Sequence, residues 1–170
     1  GRIQLHGRTA AEVAADLLPA HVVPEAVARI EDLEVEDVPG GGVHLLPGTR
    51  DFLDALPAER WAVVTSATRR LAEVRLGAVG VLPKTLIAAD DVTRGKPDPE
   101  PYLLAARTLG VDPADCVVFE DAPAGLRAGR AAGMTTVALA TTHPAHELTA
   151  DLVVDDLSAL SALVTDGGVE

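Results

Sequence analysis

Three short stretches of this chain end in side chains able to bind an anion, neutralise a growing negative charge and hold a hard cation. In Val63-Val64-Thr65-Ser66-Ala67-Thr68 an apolar run stops at hydroxyls. A hydroxyl just beyond a buried strand, with a helix starting behind it, offers an Oγ–H and backbone N–H groups to an anion. A simple helix cap accounts equally well for Ser66 or Thr68. In Arg94-Gly95-Lys96-Pro97-Asp98-Pro99, Gly95 lets the backbone turn while two prolines stiffen the segment after the lysine. A lysine held by such neighbours can aim its ammonium at one point; a solvated loop lysine is the alternative. In Cys116-Val117-Val118-Phe119-Glu120-Asp121-Ala122-Pro123, two adjacent carboxylates close an apolar run. They repel each other and are costly to desolvate without a counter-charge, which a hard divalent cation such as Mg²⁺ supplies. Asp121 as an N-cap ahead of Pro123, with Glu120 in solvent, is the competing account.

Taken together, the three stretches say more than each alone. A phosphate donor, a cation for the transition state and a metal site are complementary parts of phosphoryl transfer, provided that one rim carries all of them.

Periodicity gives the scaffold for these groups. From Pro47 onward, short apolar runs alternate with helical patterns. Strands are predicted over 61–65, 85–88, 115–119, 135–139 and 152–154. Helices are predicted over 69–79, 100–109, 122–132 and 158–164. Strands that are apolar throughout and separated by helices imply a parallel sheet covered on both faces. Ligands of such sheets bind beyond the carboxyl ends of the strands, which is where Ser66, Lys96, Glu120 and Asp121 fall. Residues before Leu46 differ. Thr9 with Glu12 has the form of a capping box opening one helix, Pro24 to about Val38 suggests a second, and Pro39 to Gly42 breaks the pattern. The expectation is an α/β, Rossmann-like parallel sheet flanked by helices over 47–170, with a partial small helical cap over 1–46.

Bulk properties narrow the class. With 170 residues, 48% of them hydrophobic and only 2% aromatic, the chain can bury a core built mainly of Ala, Val and Leu. A formal charge of −12 argues against nucleic acid as a partner, since binding a phosphate backbone needs surplus Lys and Arg. No apolar run is long enough to span a membrane, so no membrane partner is expected. The single Cys116 sits in an apolar run and fits a small buried hydrophobe in a reducing cytoplasm. Twelve of the basic residues are Arg, and only Lys84 and Lys96 are Lys. A lysine where arginine is the habit singles out Lys96 further.

VVTSAT, GKPDPEPY and VVFEDAPAGLRAGRAAGM resemble, in order, the second, third and fourth motifs of the haloacid dehalogenase superfamily. The likeness is to the branch of sugar-phosphate phosphatases and β-phosphoglucomutase, and HGRTAAEVAADLLP resembles part of that branch's cap. The resemblance implies that Ser66, with Ala67 and the following amides, binds the phosphoryl group. It implies that Lys96 pairs with the phosphate and the nucleophile, and that Glu120 and Asp121 hold Mg²⁺, directly or through water. Arg8, and less directly His6, are cap candidates for contacting the substrate, a small phosphate ester; a solvent-facing polar residue near a chain end is the alternative for both. A response-regulator receiver uses similar groups but places its acidic pair first, so the order here disfavours it.

The family's first motif, Asp-x-Asp-Gly-Thr, occurs nowhere in these residues. Its first Asp is the family's nucleophile and its second the general acid/base; Asp90-Asp91 resembles an acidic turn before the lysine loop instead. In the family that first strand is central to the sheet, between the strands ending at Ser66 and Glu120. Its loss would leave unpaired backbone at a cost beyond a marginal stability of about 5–15 kcal/mol. The expectation is therefore that a strand and a cap helix precede Gly1, or that a second copy supplies the strand, and that the 170 residues alone are inactive. For the whole protein three readings stand: a Mg²⁺-dependent phosphatase, a β-phosphoglucomutase-like mutase, or a binding domain without a nucleophile.

Overall fold

The computed structural model describes residues 19–20, 22, 29, 34–36, 38–40, 43–162, 164–165 and 168–169. His6, Arg8, Thr9 and Glu12 lie outside the described residues, and with them most of the expected cap; Arg29 and residues 34–36 are helical.

The described strands form parallel pairs linked by helices. Strand β1 (Val63–Val64) lies beside β2 (Leu86–Ile87), with Val63 opposite Leu86. Strands β3 (Val117–Glu120), β4 (Thr135–Leu139) and β5 (Leu152–Val154) form a second parallel sheet in that order. Val118 stands opposite Thr136, and Leu139 opposite Val154. Among the described residues β1 and β3 share no ladder, so the sheet is split between them.

Helix α1 (Thr49–Asp54) precedes β1, α2 (Arg69–Ala78) joins β1 to β2, α3 (Glu100–Leu109) leads to β3, and α4 (Pro123–Ala131) joins β3 to β4. The local chemistry explains each boundary. Thr68 caps α2 by accepting from Leu71 N at 3.4 Å. Pro101 sits in the first turn of α3, where a missing N–H does no harm. Gly110 ends that helix in the left-handed conformation, at φ 72°. Helix α4 also opens on a proline and buries Ala124, Gly125, Leu126, Ala128 and Gly129.

The core is made of small residues, as the composition requires. Tyr102, Ala106, Val118, Ala128, Ala132 and Met134 pack as one cluster, with Val64 and Cys116 against it; Leu126, Ala138 and Leu148 form another. Burial pushes the Cys116 thiol up from its ordinary pKa, with Asp115 and Asp112 adding to the effect, so the thiol stays protonated. Thr136 is fully buried. Its N–H and hydroxyl donate to the Asp151 carboxylate at 2.7 and 2.9 Å, tying the start of β4 to the residue before β5. Those bonds, the backbone one foremost, hold the Asp151 carboxyl below the usual carboxylate range.

The last helix expected over 158–164 is absent among the described residues of that span. A 3-10 turn over Leu157–Ala159 follows Asp156, whose carboxylate accepts from Ser158 N at 2.8 Å. Val164–Thr165 then pairs antiparallel with Gly168–Val169. β-Branched Val164 and Thr165 favour extended backbone over helix, and that preference wins here.

Candidate active site

The site is assembled where β1 and β3 end. Beyond β1, Thr65 N donates to Ile87 O at 2.9 Å, so the chain stays fixed to β2 as it leaves the ladder. Thr68, not Ser66, is the cap of α2, which settles which of the two hydroxyls has that duty. The Ala67 N–H, expected to face the phosphoryl group, donates to Thr65 Oγ1 at 3.1 Å, and Ala67 O accepts from Ala89 N at 2.9 Å. The Thr65–Ala67 turn is thereby held from both sides.

The lysine loop is braced by carboxylates rather than by its prolines alone. Glu100 accepts from Thr93 N at 2.7 Å and Arg94 N at 3.0 Å, while Asp98 accepts from Glu100 N at 2.9 Å. The Lys96–Pro97 peptide is cis. Lys96 is 5% exposed. Its Nζ donates to Val64 O at 3.0 Å and to Glu120 Oε1 in a short ion pair, and lies 5.1 Å from the centre of the Tyr102 ring. One ammonium therefore touches the ends of both β1 and β3, across the split in the sheet.

The paired carboxylates have different fates. Glu120, 9% exposed, turns inward. Its Oε1 accepts from Lys96 and from the Tyr102 hydroxyl at 2.9 Å; its Oε2 faces the amides of Asp121 and Ala122 at 3.2 and 3.3 Å. A Cβ on Gly125 would come within 2.1 Å of Glu120 Cδ, so only glycine leaves room for this carboxylate under α4. Burial, then the Glu120 charge and its hydrogen bond, raise the Tyr102 pKa well above its ordinary value, and the phenol remains a donor. Asp121 is the outward member. Its Oδ2 accepts from the Thr142 hydroxyl at 3.0 Å, and Thr142 Oγ1 also lies 3.0 Å from His143 Nδ1.

Asp90 and Asp91 serve α2 and β2 instead of chemistry. Asp91 accepts from the Arg69 guanidinium at 2.6 Å and from Ala88 N at 2.8 Å, while Asp90 accepts from Arg69 N.

Sequence reasoning gives Gly125 close helix–sheet packing but misses the room it leaves for Glu120, and it misses Tyr102 and Thr142. Tyr102 closes the GKPDPEPY stretch six residues beyond Lys96, and Thr142 comes after a buried strand just as Ser66 does; both signals are present in the residues.

The Lys96 charge is balanced by Glu120, and among the described residues no Lys or Arg forms an ion pair with Asp121. Its oxygens suit a hard cation, yet among the described residues no three His, Cys, Asp or Glu side chains gather closely enough to enclose a metal. The fit to Mg²⁺ is thus a partial one, through Asp121.

Likeness to known proteins decides the family. A model of the haloacid dehalogenase-like hydrolases matches residues 4–133, well over half of the chain. The chain belongs to the haloacid dehalogenase-like hydrolases. Validoxylamine A 7'-phosphate phosphatase from Streptomyces hygroscopicus subsp. limoneus is 41% identical over 163 residues, covering 89% of this chain and 75% of that protein. Hexitol phosphatase A from Escherichia coli (strain K12) is 34% identical over 168 residues, 95% of this chain and 71% of that one. The structure of CbbY from Rhodobacter sphaeroides in complex with xylulose-(1,5)bisphosphate superimposes with a TM-score of 0.80 at 26% identity, covering 92% of this chain and 76% of that one. Other curated relatives are matched over as little as 39% of their length. Within its family this haloacid dehalogenase-like chain sits among the phosphomonoester hydrolases, in the sugar-phosphate branch. Its split parallel sheets with flanking helices match that fold. No described helix is long and apolar enough to cross a membrane.

Proposed function

We propose that the protein is a Mg²⁺-dependent phosphatase of small phosphorylated metabolites, sugar or polyol phosphates. The observation that carries the reading is the placement of Lys96 Nζ between Val64 O and Glu120, with Ser66 two residues beyond Val64 and Asp121 next to Glu120 in the chain. A buried, bonded ammonium at the meeting point of two strand ends is suited to stabilising charge on a transferring phosphoryl group. Ser66 then donates to a phosphoryl oxygen, and Lys96 neutralises another while Glu120 holds the lysine in place. Asp121 and its neighbour Glu120 are the residues that would hold Mg²⁺, Glu120 being also bonded to Lys96 and Tyr102; when bound, the metal would supply charge neutralisation at the phosphoryl oxygens. The remaining metal ligands, the nucleophilic Asp that forms an aspartyl-phosphate and the acid/base Asp come from outside these residues. The unladdered sides of β1 and β3 supply the reason, since a strand between them would satisfy both. Residues 1–46 are assigned to the partial cap, with Arg8 the candidate substrate contact there; Arg8 lies outside the described residues. The relatives' names, a validoxylamine 7'-phosphate phosphatase and a hexitol phosphatase, favour polyhydroxylated substrates.

The test is phosphate release by the full-length protein over hexose, deoxyhexose, hexitol and glycerol phosphates, with and without Mg²⁺. Release from several of them, abolished by chelation, is expected. Isomerisation of β-glucose 1-phosphate without release, or no turnover of any ester, would overturn the reading. An upstream Asp-x-Asp in the encoded protein removes the option of a binding domain without chemistry.

A further inference from the structure

We propose that Tyr102 is a positioning residue for Lys96, fixing where the ammonium sits by holding the carboxylate it pairs with. The consequence for catalysis rests on the phosphatase reading above; the positioning itself does not.

The geometry carries the argument. Glu120 Oε1 has two donors, Lys96 Nζ and the Tyr102 hydroxyl, the latter at 2.9 Å. Its Oε2 faces two amides at 3.2 and 3.3 Å. With the Lys96 bond set aside, three donors and the closeness of Gly125 still stop the carboxylate from rotating. Tyr102 is the only side chain among those three. Remove its hydroxyl, and among the described residues Oε1 keeps Lys96 as its one donor. The carboxylate then fixes the lysine less firmly, held only by the longer amide bonds to Oε2 and the closeness of Gly125. The ring adds a second constraint, because its face lies 5.1 Å from Nζ and attracts a cation. Lysine has a long, flexible stem, and a misplacement of about 1 Å is enough to cost a large factor in rate. Tyr102 is buried in the core cluster on α3, a rigid element, which is where a group that must hold another should stand.

The decisive experiment uses the full-length protein and two variants, Tyr102→Phe and Tyr102→Leu. Tyr102→Phe keeps the buried ring and removes only the hydroxyl, so folding is retained and this variant decides the matter even if Tyr102→Leu fails to fold. With ¹⁵N-lysine labelling, the buried Lys96 ammonium gives a slowly exchanging resonance, assigned by its loss in Lys96→Arg; exposed Lys84 provides the internal contrast. In Tyr102→Phe the Lys96 signal is expected to shift and broaden while the thermal midpoint changes little. Phosphate release should fall about tenfold in kcat with KM within about twofold, and further in Tyr102→Leu. A role confined to packing would move neither the ammonium signal nor kcat at constant KM. If Tyr102→Phe leaves both at wild-type values, the proposal is overturned. If wild type and variant both lack phosphatase activity but the signal still depends on the hydroxyl, the phosphatase reading falls and the positioning stands.

Discussion

The two halves of the sheet are built to different standards. Strands β3, β4 and β5 run for 4, 5 and 3 residues, and the last two are laced at their start by the Thr136–Asp151 bonds. Strands β1 and β2 have 2 residues each. Both halves are parallel, and both end at the candidate site. The difference lies in what each contributes: the longer half supplies the carboxylates, while the shorter half supplies the hydroxyl and, through the loop after β2, the lysine. A strand with a partner on one side only has fewer ladder bonds to keep it extended, and β1 is such a strand among the described residues. What crosses from one half to the other at the rim is Lys96. The candidate site thus fastens the two halves together.

Removing the fastening should have the largest effect. Glu120→Ala leaves the Lys96 ammonium buried without its carboxylate and the Tyr102 hydroxyl without its acceptor. A loss of about 3–5 kcal/mol in chemical denaturation of the full-length protein is expected. Backbone exchange should quicken in β1–β2 more than in β3–β5; equal quickening would break the distinction between the halves. Gly125→Ala comes next, acting from within the longer half. Its new methyl would force Glu120 or α4 to move, with an expected loss of about 1–3 kcal/mol and a parallel fall in phosphate release. Unchanged stability would mean that the carboxylate is less confined than its surroundings imply.

The smallest effect is expected from Asp151→Asn, and it sharpens the comparison because it touches only β4 and β5. The folded-state carboxyl is held below its ordinary pKa, so the unfolded chain binds the proton more readily. The stabilisation is therefore fully present above the unfolded pKa of about 3.9 and is lost as pH falls through the lower folded value. At pH 7 the variant should melt below wild type, and the gap should close in acid. A gap that persists below the carboxylate range would show that something other than ionised Asp151 ties the strands.

Much of this is legible in the residues, and the exceptions have physical reasons. Helix α3 and strands β4 and β5 lie where periodicity and turn chemistry put them, because Pro101, Gly110 and unbroken apolar runs leave few alternatives. The convergence of Lys96 and Glu120 comes from strand order. Their pairing does not: two adjacent carboxylates read alike in a sequence, and only packing shows that Gly125 and Tyr102 turn Glu120 inward while Asp121 stays out. The end of the chain misleads because Leu157, Leu160 and Val164 fall at helical spacing, whereas Asp156 caps a 3-10 turn and Val164–Thr165 pairs as a strand. Arg8 and most of the expected cap lie outside the described residues.

The burial of Lys96 has one more consequence. An ammonium in bulk water must shed a hydration shell before an anion can reach it, and that rearrangement opposes any reaction in which charge builds up nearby. Here the shell has already been exchanged for a carbonyl, a carboxylate and an aromatic face during folding. Under the phosphatase reading, an incoming anion would meet a preorganised dipole array, with the solvent reorganisation completed by folding rather than repeated at each turnover.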